Sequence, residues 1–376
     1  MTRRTGPTVA ILGAGPLGVE AALAVADLGW PFTVYEAGQV GESVGRWAFA
    51  KMLTPFGWNT TPLGLQTLQR FLPGKELPPP TAFQTGREFR EGYLLPIAQS
   101  PMLNPHIKLQ HSVLSISRTG TRKLHDDRNA PFRLLVRGPN NVELLATADV
   151  ILDCTGTYTR PNWLGDGGIP ALGELASRQF IPYWLDDICG AKKANYLGRS
   201  IIVIGSGLSA ATAITDLSKI AVENASTWTT WLTNTRRRLP ILRLQNDPLR
   251  ERDRLATAAN TLAGRGEGNI DHHGDVRIDE VQCAGMDKGY RVVGRISGKS
   301  QTWEAERLLA HVGYKPDATM TAELNIAEPT GEAITAEQNY FILGSKSAGR
   351  SRMFLLRDGH EQLRQIFERL TKRATA

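Results

Sequence analysis

The chain has 376 residues, 41% hydrophobic and 22% charged, with a formal net charge of +7. Such a length suggests two domains, or one interrupted by another, with the composition of an ordinary globular protein. No stretch approaches the roughly 18 consecutive apolar residues that a membrane span needs. The three cysteines, Cys154, Cys189 and Cys283, form no C-x-x-C pair.

These features predict a cytoplasmic protein with no membrane partner, no disulfide framework and no local redox dithiol. No lysine-rich or aromatic-interleaved tract of the RNA-recognition type is found, so no nucleic-acid partner is expected. The adjacent His272 and His273, without H-E-x-x-H or paired cysteines, predict no metal site.

In chain order, Val9–Leu12 reads as a buried parallel strand running into Gly13-Ala14-Gly15-Pro16-Leu17-Gly18. Gly13 permits the tight turn, Gly15 lets backbone approach a pyrophosphate, and Gly18 lets the following helix pack closely. Pro16 suits the first helical turn, and Leu17, Ala21, Leu23, Ala24 and Leu28 keep helical spacing as far as Gly29. Exposed N–H groups at the helix start then face the phosphates. The next strand, Phe32–Tyr35, ends at Glu36, whose carboxylate can accept from both ribose hydroxyls of an adenosine.

The stretch from Leu72 to Leu95 holds Pro78-Pro79-Pro80, then Thr85-Gly86-Arg87-Glu88 opening a helical pattern; it reads as an insertion capping the site. His111–Ile116 alternates like a strand, Phe132 to Leu145 is hairpin-like, and Ala148–Thr157 is a strand running into Gly156.

A second glycine turn follows Ile201–Ile204: Gly205, Ser206, Gly207, Leu208 and Ser209, with Ala210 at the third small position. Its next strand, Thr227–Thr233, ends at Asn234 without an acid, and Arg236, Arg237 and Arg238 come after it. A carboxylate would repel a 2′-phosphate, whereas an arginine pairs with it through a planar fork, so this site should prefer NADPH. Which arginine does so is open. Arg238 to Gly268, with Leu255, Ala258, Ala259 and Leu262 at helical spacing, forms a second insertion. Both insertions are places where specificity would live.

The halves repeat each other. Gly274–Asp279 echoes His111–Ile116, Tyr290 to Trp303 echoes the first hairpin, and Ala305–Tyr314 echoes Ala148–Thr157. One dinucleotide-binding plan is used twice, the second copy inserted into the first. The last pattern, Asp358 to Lys372, spaces Leu363, Ile366, Phe367 and Leu370 along one helix face, as a core helix does.

Cys154-Thr155-Gly156 with Arg160-Pro161, His311–Asp317, and Asn339–Gly344 resemble the two linkers and the last flavin-domain strand of the two-dinucleotide-binding-domain flavoproteins. That group holds thioredoxin-reductase-like enzymes and flavin-dependent monooxygenases. The resemblance implies an α/β protein of two Rossmann-like domains, an NADPH-binding domain (161–304) inserted into a discontinuous FAD-binding domain (1–160 and 305–376).

It implies FAD in the first site, with Arg46 and Trp47 of the Gly41–Trp47 segment along the pyrophosphate. Val113, Thr155, Gly156, Gly344 and Lys346 are counted with that site. The stretch from Trp47 to Asn59, with Pro55, Phe56 and Trp58, is expected to border substrate beneath the flavin ring, and Lys346 and Ser351–Leu356 to lie near the ring from the other side.

The departures from the group's pattern bear on chemistry. Without a C-x-x-C beside the flavin, disulfide reduction of that kind is excluded. Gly344-Ser345-Lys346 stands where many relatives have Gly-Asp, so a serine, a lysine or backbone must replace the aspartate that holds the ribityl chain. The F-x-G-x-x-x-H signature is absent from 163–200.

The resemblance implies a FAD-dependent, NADPH-consuming oxidoreductase. The leading expectation is a monooxygenase acting through a C4a-hydroperoxyflavin on a small soft nucleophile, an amine or a sulfide. The alternatives are an NADPH-dependent reductase without a redox disulfide, and a non-catalytic flavin-binding redox sensor. The coenzyme carries the difficult chemistry in this scheme, so no catalytic side chain is named. A homo-oligomer is compatible with it.

Overall fold

The computed structural model describes residues 6–120, 129–265, 268–283, 285, 288–324, 326, 333–335, 337–349 and 354–374. Residues 351–353 of the stretch expected beside the ring lie outside the described residues.

β1 (Val9–Leu12) is buried along its whole length and pairs in parallel with β2 (Phe32–Tyr35). Between them runs helix α1 (Pro16–Asp27), started by Pro16 behind the Gly15 N-cap. The short β3 (Ile107–Lys108) extends the edge beyond β2. β4 (Ser112–Arg118), β5 (Phe132–Arg137) and β6 (Glu143–Ala148) form an antiparallel meander. β7 (Val150–Asp153) then returns in parallel beside β1.

Period-2 alternation explains how one sheet is covered on both faces. Val9, Ile11, Val150 and Leu152 point to a core shared with α1, while Ala10, Leu12 and Ile151 point to one shared with Phe132, Leu134 and Val136 of the meander.

The second unit repeats the plan. β8 (Ser200–Ile204) leads through Gly205–Gly207 into α2 (Leu208–Glu223) and pairs in parallel with β9 (Trp228–Leu232). Helix α3 (Arg250–Arg265) buries Ala256 and Ala259 in the same core as Ile201, Val203, Ile214 and Leu217. β10 (Ile270–His273) extends the sheet, and β11 (Val276–Cys283), β12 (Tyr290–Ile296) and β13 (Lys299–Ala305) make the second meander. β14 (Arg307–Ala310) closes the sheet beside β8.

The chain then returns to the first unit, where β15 (Tyr340–Ile342) pairs with β7. The terminal helix α4 (Leu356–Ala374) buries Leu363, Ile366 and Leu370 in the core that also holds α1.

The units are 1–160 with 315–376, and 161–314. The return to the first unit therefore falls at Tyr314–Lys315, not at 305. The reason is the ladder: β14 is the second copy's counterpart of β7 and is hydrogen-bonded to β8 from Arg307↔Ile201 to Ala310↔Ile204. No described helix is long and apolar enough to cross a membrane.

Candidate functional site

In an open parallel sheet, ligands sit outside the carboxyl ends of the strands. The first unit has a cleft of about 540 Å³ there, within the usual range for ligand pockets. Gly13, Gly15, Pro16 and Glu36 line it, as do Arg46, Val113, Thr155, Gly156 and Lys346. Nine of the expected first-site residues are thus brought around one cavity.

Each glycine of the turn has a different task. At Gly13 φ is +90°, and a Cβ would meet the Cys154 carbonyl oxygen at 2.9 Å. A Cβ on Gly18 would lie 1.9 Å from the Gly13 carbonyl oxygen, so this residue fixes how closely the helix approaches the turn. A Cβ on Gly15 would meet nothing within 4 Å. The backbone there faces open cavity at the start of α1, where N–H groups and the positive end of the helix dipole favour an anion. That cradle fits a pyrophosphate.

Glu36 is half-buried and closes the cleft on the β2 side. Oε2 accepts from the Ala14 N–H at 2.6 Å and Oε1 from the Gly38 N–H at 2.7 Å. Desolvation raises its pKa, and the two backbone donors oppose that rise. The 41–47 segment is tied to the glycine turn by the Gly41 N–H, which donates to Ala14 O at 2.9 Å. Arg46 extends from the short helix Glu42–Arg46, exposed, with Glu42 at 3.8 Å.

At the other end, Asp153 is fully buried. Its Oδ1 accepts from the Thr155 hydroxyl at 2.6 Å and the Thr155 N–H at 3.2 Å; its Oδ2 accepts from Lys346 Nζ at 2.6 Å and the Tyr340 hydroxyl at 2.8 Å. Lys346 Nζ also donates to Thr155 Oγ1 at 3.2 Å. Cys154 lines the cleft, but burial and the neighbouring Asp153 push its thiol up, against the pull of Lys346.

Leu17, Gly18, Trp47 and Gly344 are not among the residues that line the cleft. The Leu17 side chain fills a close approach, since a Cβ on Gly344 would lie 2.8 Å, and one on Gly359 2.4 Å, from its Cδ1. Trp47 packs over Gly86, whose added Cβ would meet the indole at 2.7 Å. Phe56 is core, and Trp58 is partly exposed beneath the Arg357 guanidinium, 3.8 Å from its ring centroid. Sequence reasoning passed over Asp153, Asp317, Thr319 and Met320; the last three line the cleft. A carboxylate closing the apolar run Val150–Leu152 was the available signal, because a buried charge demands partners.

The second unit has its own turn. Gly205 (φ +137°) passes so close to His311 that a Cβ would lie 2.1 Å from its carbonyl oxygen, and the Trp231 indole N–H donates to Gly205 O at 2.8 Å. Gly207 caps α2 with open space beside it, and Ser206 is nearly buried. Leu208 and Ser209 open the helix.

Beyond β9, Arg236 Nε lies 3.1 and 3.2 Å from the two Asp275 oxygens, while Arg237 donates to Pro240 O at 3.3 Å. His272 meets Thr233 Oγ1 at 3.0 Å and His273 meets Asp271 at 2.9 Å, and no group able to hold a metal occurs among the described residues.

These features define an α/β fold of two dinucleotide-binding units, that of the two-dinucleotide-binding-domain flavoproteins. Solved structures resemble it across nearly the whole chain. A bacillithiol disulfide reductase from Bacillus cereus matches with TM-score 0.73 at 16% identity, over 98% of this chain and 99% of that one. The FAD-bound cadaverine monooxygenase of desferrioxamine biosynthesis from Erwinia amylovora matches with TM-score 0.67 at 14% identity, over 97% and 94%. The ornithine N-hydroxylase of Kutzneria sp. 744 matches with TM-score 0.67 at 15% identity, over 98% and 99%. No protein-family profile and no curated protein sequence matches the chain.

Proposed function

We propose that the chain is a FAD-dependent, NADPH-consuming oxidoreductase that oxygenates a small soft nucleophile, an amine or a sulfide. The observation that carries the reading is the composition of the first cleft. It has a phosphate cradle at Gly13–Pro16 and a ribose carboxylate at Glu36, and Cys154 is its only cysteine, with a thiol pushed up rather than down. Thiol–disulfide exchange needs a thiolate, and a second sulfur to complete the cycle. A dithiol reductase is disfavoured on that chemistry.

Bound in this cleft, FAD supplies two-electron chemistry with oxygen. The protein's part is binding and orientation. The N–H groups at the start of α1 take phosphate charge, Glu36 fixes the adenosine ribose, and Arg46 adds a cation at the rim. In the second unit, Gly205–Ser209 serve the NADPH pyrophosphate, and Arg236–Arg238 select the 2′-phosphate. The sum balances: NADPH gives a hydride, solvent gives a proton, one atom of O2 goes to the substrate's lone pair, and the other leaves as water.

Two measurements test this. Reduced holo-protein mixed with aerated buffer should hold an absorbance distinct from both reduced and oxidised flavin, and NADPH consumption should rise with an amine or a sulfide. Immediate return to the oxidised spectrum, with no substrate dependence, would assign the chain to the reductases instead.

A further inference from the structure

The Asp153–Lys346 pair is placed asymmetrically. Lys346 lines the first cleft and Asp153 lies behind it, with side chains 3% and 0% exposed. The strand order β15-β7-β1-β2-β3 sets its position along the cleft. Asp153 ends β7, the glycine turn ends β1, and Glu36 follows β2. At roughly 4.8 Å per strand, the ammonium stands about 10 Å from the Glu36 strand, on the far side of the phosphate cradle. With adenosine on Glu36, that is the flavin half of the dinucleotide.

An ammonium has three donors. Two are used, on Asp153 Oδ2 at 2.6 Å and Thr155 Oγ1 at 3.2 Å, and no third protein acceptor occurs among the described residues. The remaining acceptor positions of Asp153 are taken by the Tyr340 hydroxyl and by the Thr155 hydroxyl and N–H. Stability does not account for the arrangement, because a buried ion pair is often no better than apolar residues of the same volume. Its electrostatic consequence is directional: of the pair, Lys346 lines the cleft, and Asp153, 2.6 Å from the ammonium, does not.

Resting on the FAD assignment above, we infer that Lys346 stabilises the negative charge a flavin gains on reduction, and so holds the potential of this flavin above the value it would have beside a neutral wall. Lys346 stands one residue beyond the position where many relatives carry aspartate and brings a charge of the opposite sign, so its effect is on redox poise as well as retention.

The test uses FAD-loaded protein, with the midpoint potential read by dye equilibration and affinity for sulfite, which leaves an anionic flavin adduct, as an independent measure. Lys346→Met alone strands a buried carboxylate, so the main variant is Lys346→Met with Asp153→Asn, which removes both charges. This double variant should shift the reduced-to-oxidised ratio at fixed ambient potential about tenfold toward oxidised, about 30 mV for a two-electron couple, and weaken sulfite about tenfold. Lys346→Met alone should shift further in the same direction, and Lys346→Arg should stay within about threefold of wild type.

Unchanged potential and sulfite affinity in a fully loaded double variant overturn the inference. A folded double variant that no longer holds FAD also overturns it, by assigning the lysine to retention alone. Failure of the wild-type chain to bind FAD would instead sink the FAD assignment, a separate result.

Discussion

The Glu36 carboxylate accepts a 2.6 Å hydrogen bond from the backbone N–H of Ala14, 22 residues earlier, so one side chain ties the second strand's end to the phosphate turn. Its other oxygen holds the Gly38 N–H. Each oxygen keeps a lone pair for a ribose hydroxyl, since an ionised carboxylate offers about four acceptor sites. Glu36 therefore shapes the site before any ligand arrives.

Glu36→Gln should weaken FAD binding by about 10–100-fold, because charged-acceptor hydrogen bonds contribute about 1.5–3 kcal/mol. The wild type should also bind FAD less well as pH falls. Desolvation raises this carboxyl's pKa, and hydroxyl donors from ribose favour the ionised form, so protonation competes with the ligand. FAD titrations across pH 4 to 8 check both. A flat profile in the wild type would remove Glu36 from the site.

Gly15→Ala and Gly18→Ala should separate binding from folding. A Cβ at Gly15 enters open cavity, so the fold should keep its stability while FAD affinity falls at least tenfold. A Cβ at Gly18 overlaps the Gly13 carbonyl oxygen at 1.9 Å, and overpacking of that kind costs about 1–3 kcal/mol. Thermal unfolding of apo-protein, read beside FAD titration, distinguishes them. Equal destabilisation by both would mean that the cavity beside Gly15 collapses in solution.

The arginine cluster makes a graded prediction. The Arg236 guanidinium already faces Asp275 at 3.1 Å, although its side chain is 80% exposed, so part of its charge is spent. Arg237 is held by a neutral carbonyl. Arg237→Ala should raise the KM for NADPH about tenfold and leave that for NADH nearly unchanged, whereas Arg236→Ala should have a smaller effect. The ratio of kcat/KM for the two nucleotides measures this, and a larger loss in Arg236→Ala would reverse the assignment.

Both dinucleotide units were legible because a buried parallel strand, a glycine turn and a helix occur together at Val9–Leu28 and at Ile201–Leu217, and local spacing carries all three. The domain boundary at 305 failed although the repeat itself held the answer: if Ala305–Tyr314 echoes Ala148–Thr157, its strand must complete the second sheet, as Arg307–Ala310 does. Asp153 was passed over because its partners, Tyr340 and Lys346, are 187 and 193 residues away. Glu174 is similar. It is fully buried, accepting from the Leu164 and Ala171 N–H groups and the Tyr183 hydroxyl, yet nothing in Gly173-Glu174-Leu175 marks it as other than a surface acid. Trp47 was placed on the pyrophosphate by resemblance, whereas its packing against Gly86 depends on a contact that local sequence does not encode.

Two buried groups should give the units opposite responses to pH. In the second unit, His311 is fully buried with neither ring nitrogen hydrogen-bonded among the described residues, and desolvation lowers its pKa to about 4. The unfolded chain takes up a proton near pH 6.5, the folded one only near 4, so stability present above 6.5 is lost as pH falls through that window. At 1.36 kcal/mol per pKa unit, the loss is about 3 kcal/mol.

In the first unit, burial raises Glu20 to about 7, with Tyr93 and Thr61 donating to it. Its sign is reversed: the contribution is complete below about 4.5 and disappears as pH rises to about 7, again by about 3 kcal/mol. His311→Leu should therefore flatten the acid limb of the stability profile, and Glu20→Gln should raise stability at pH 8 more than at pH 4. Denaturant unfolding across pH 4 to 8 reads both. If Glu20→Gln were more destabilising at pH 8 than at pH 4, the carboxyl would have to be ionised and satisfied in the fold, and the desolvation argument for this cluster would fail.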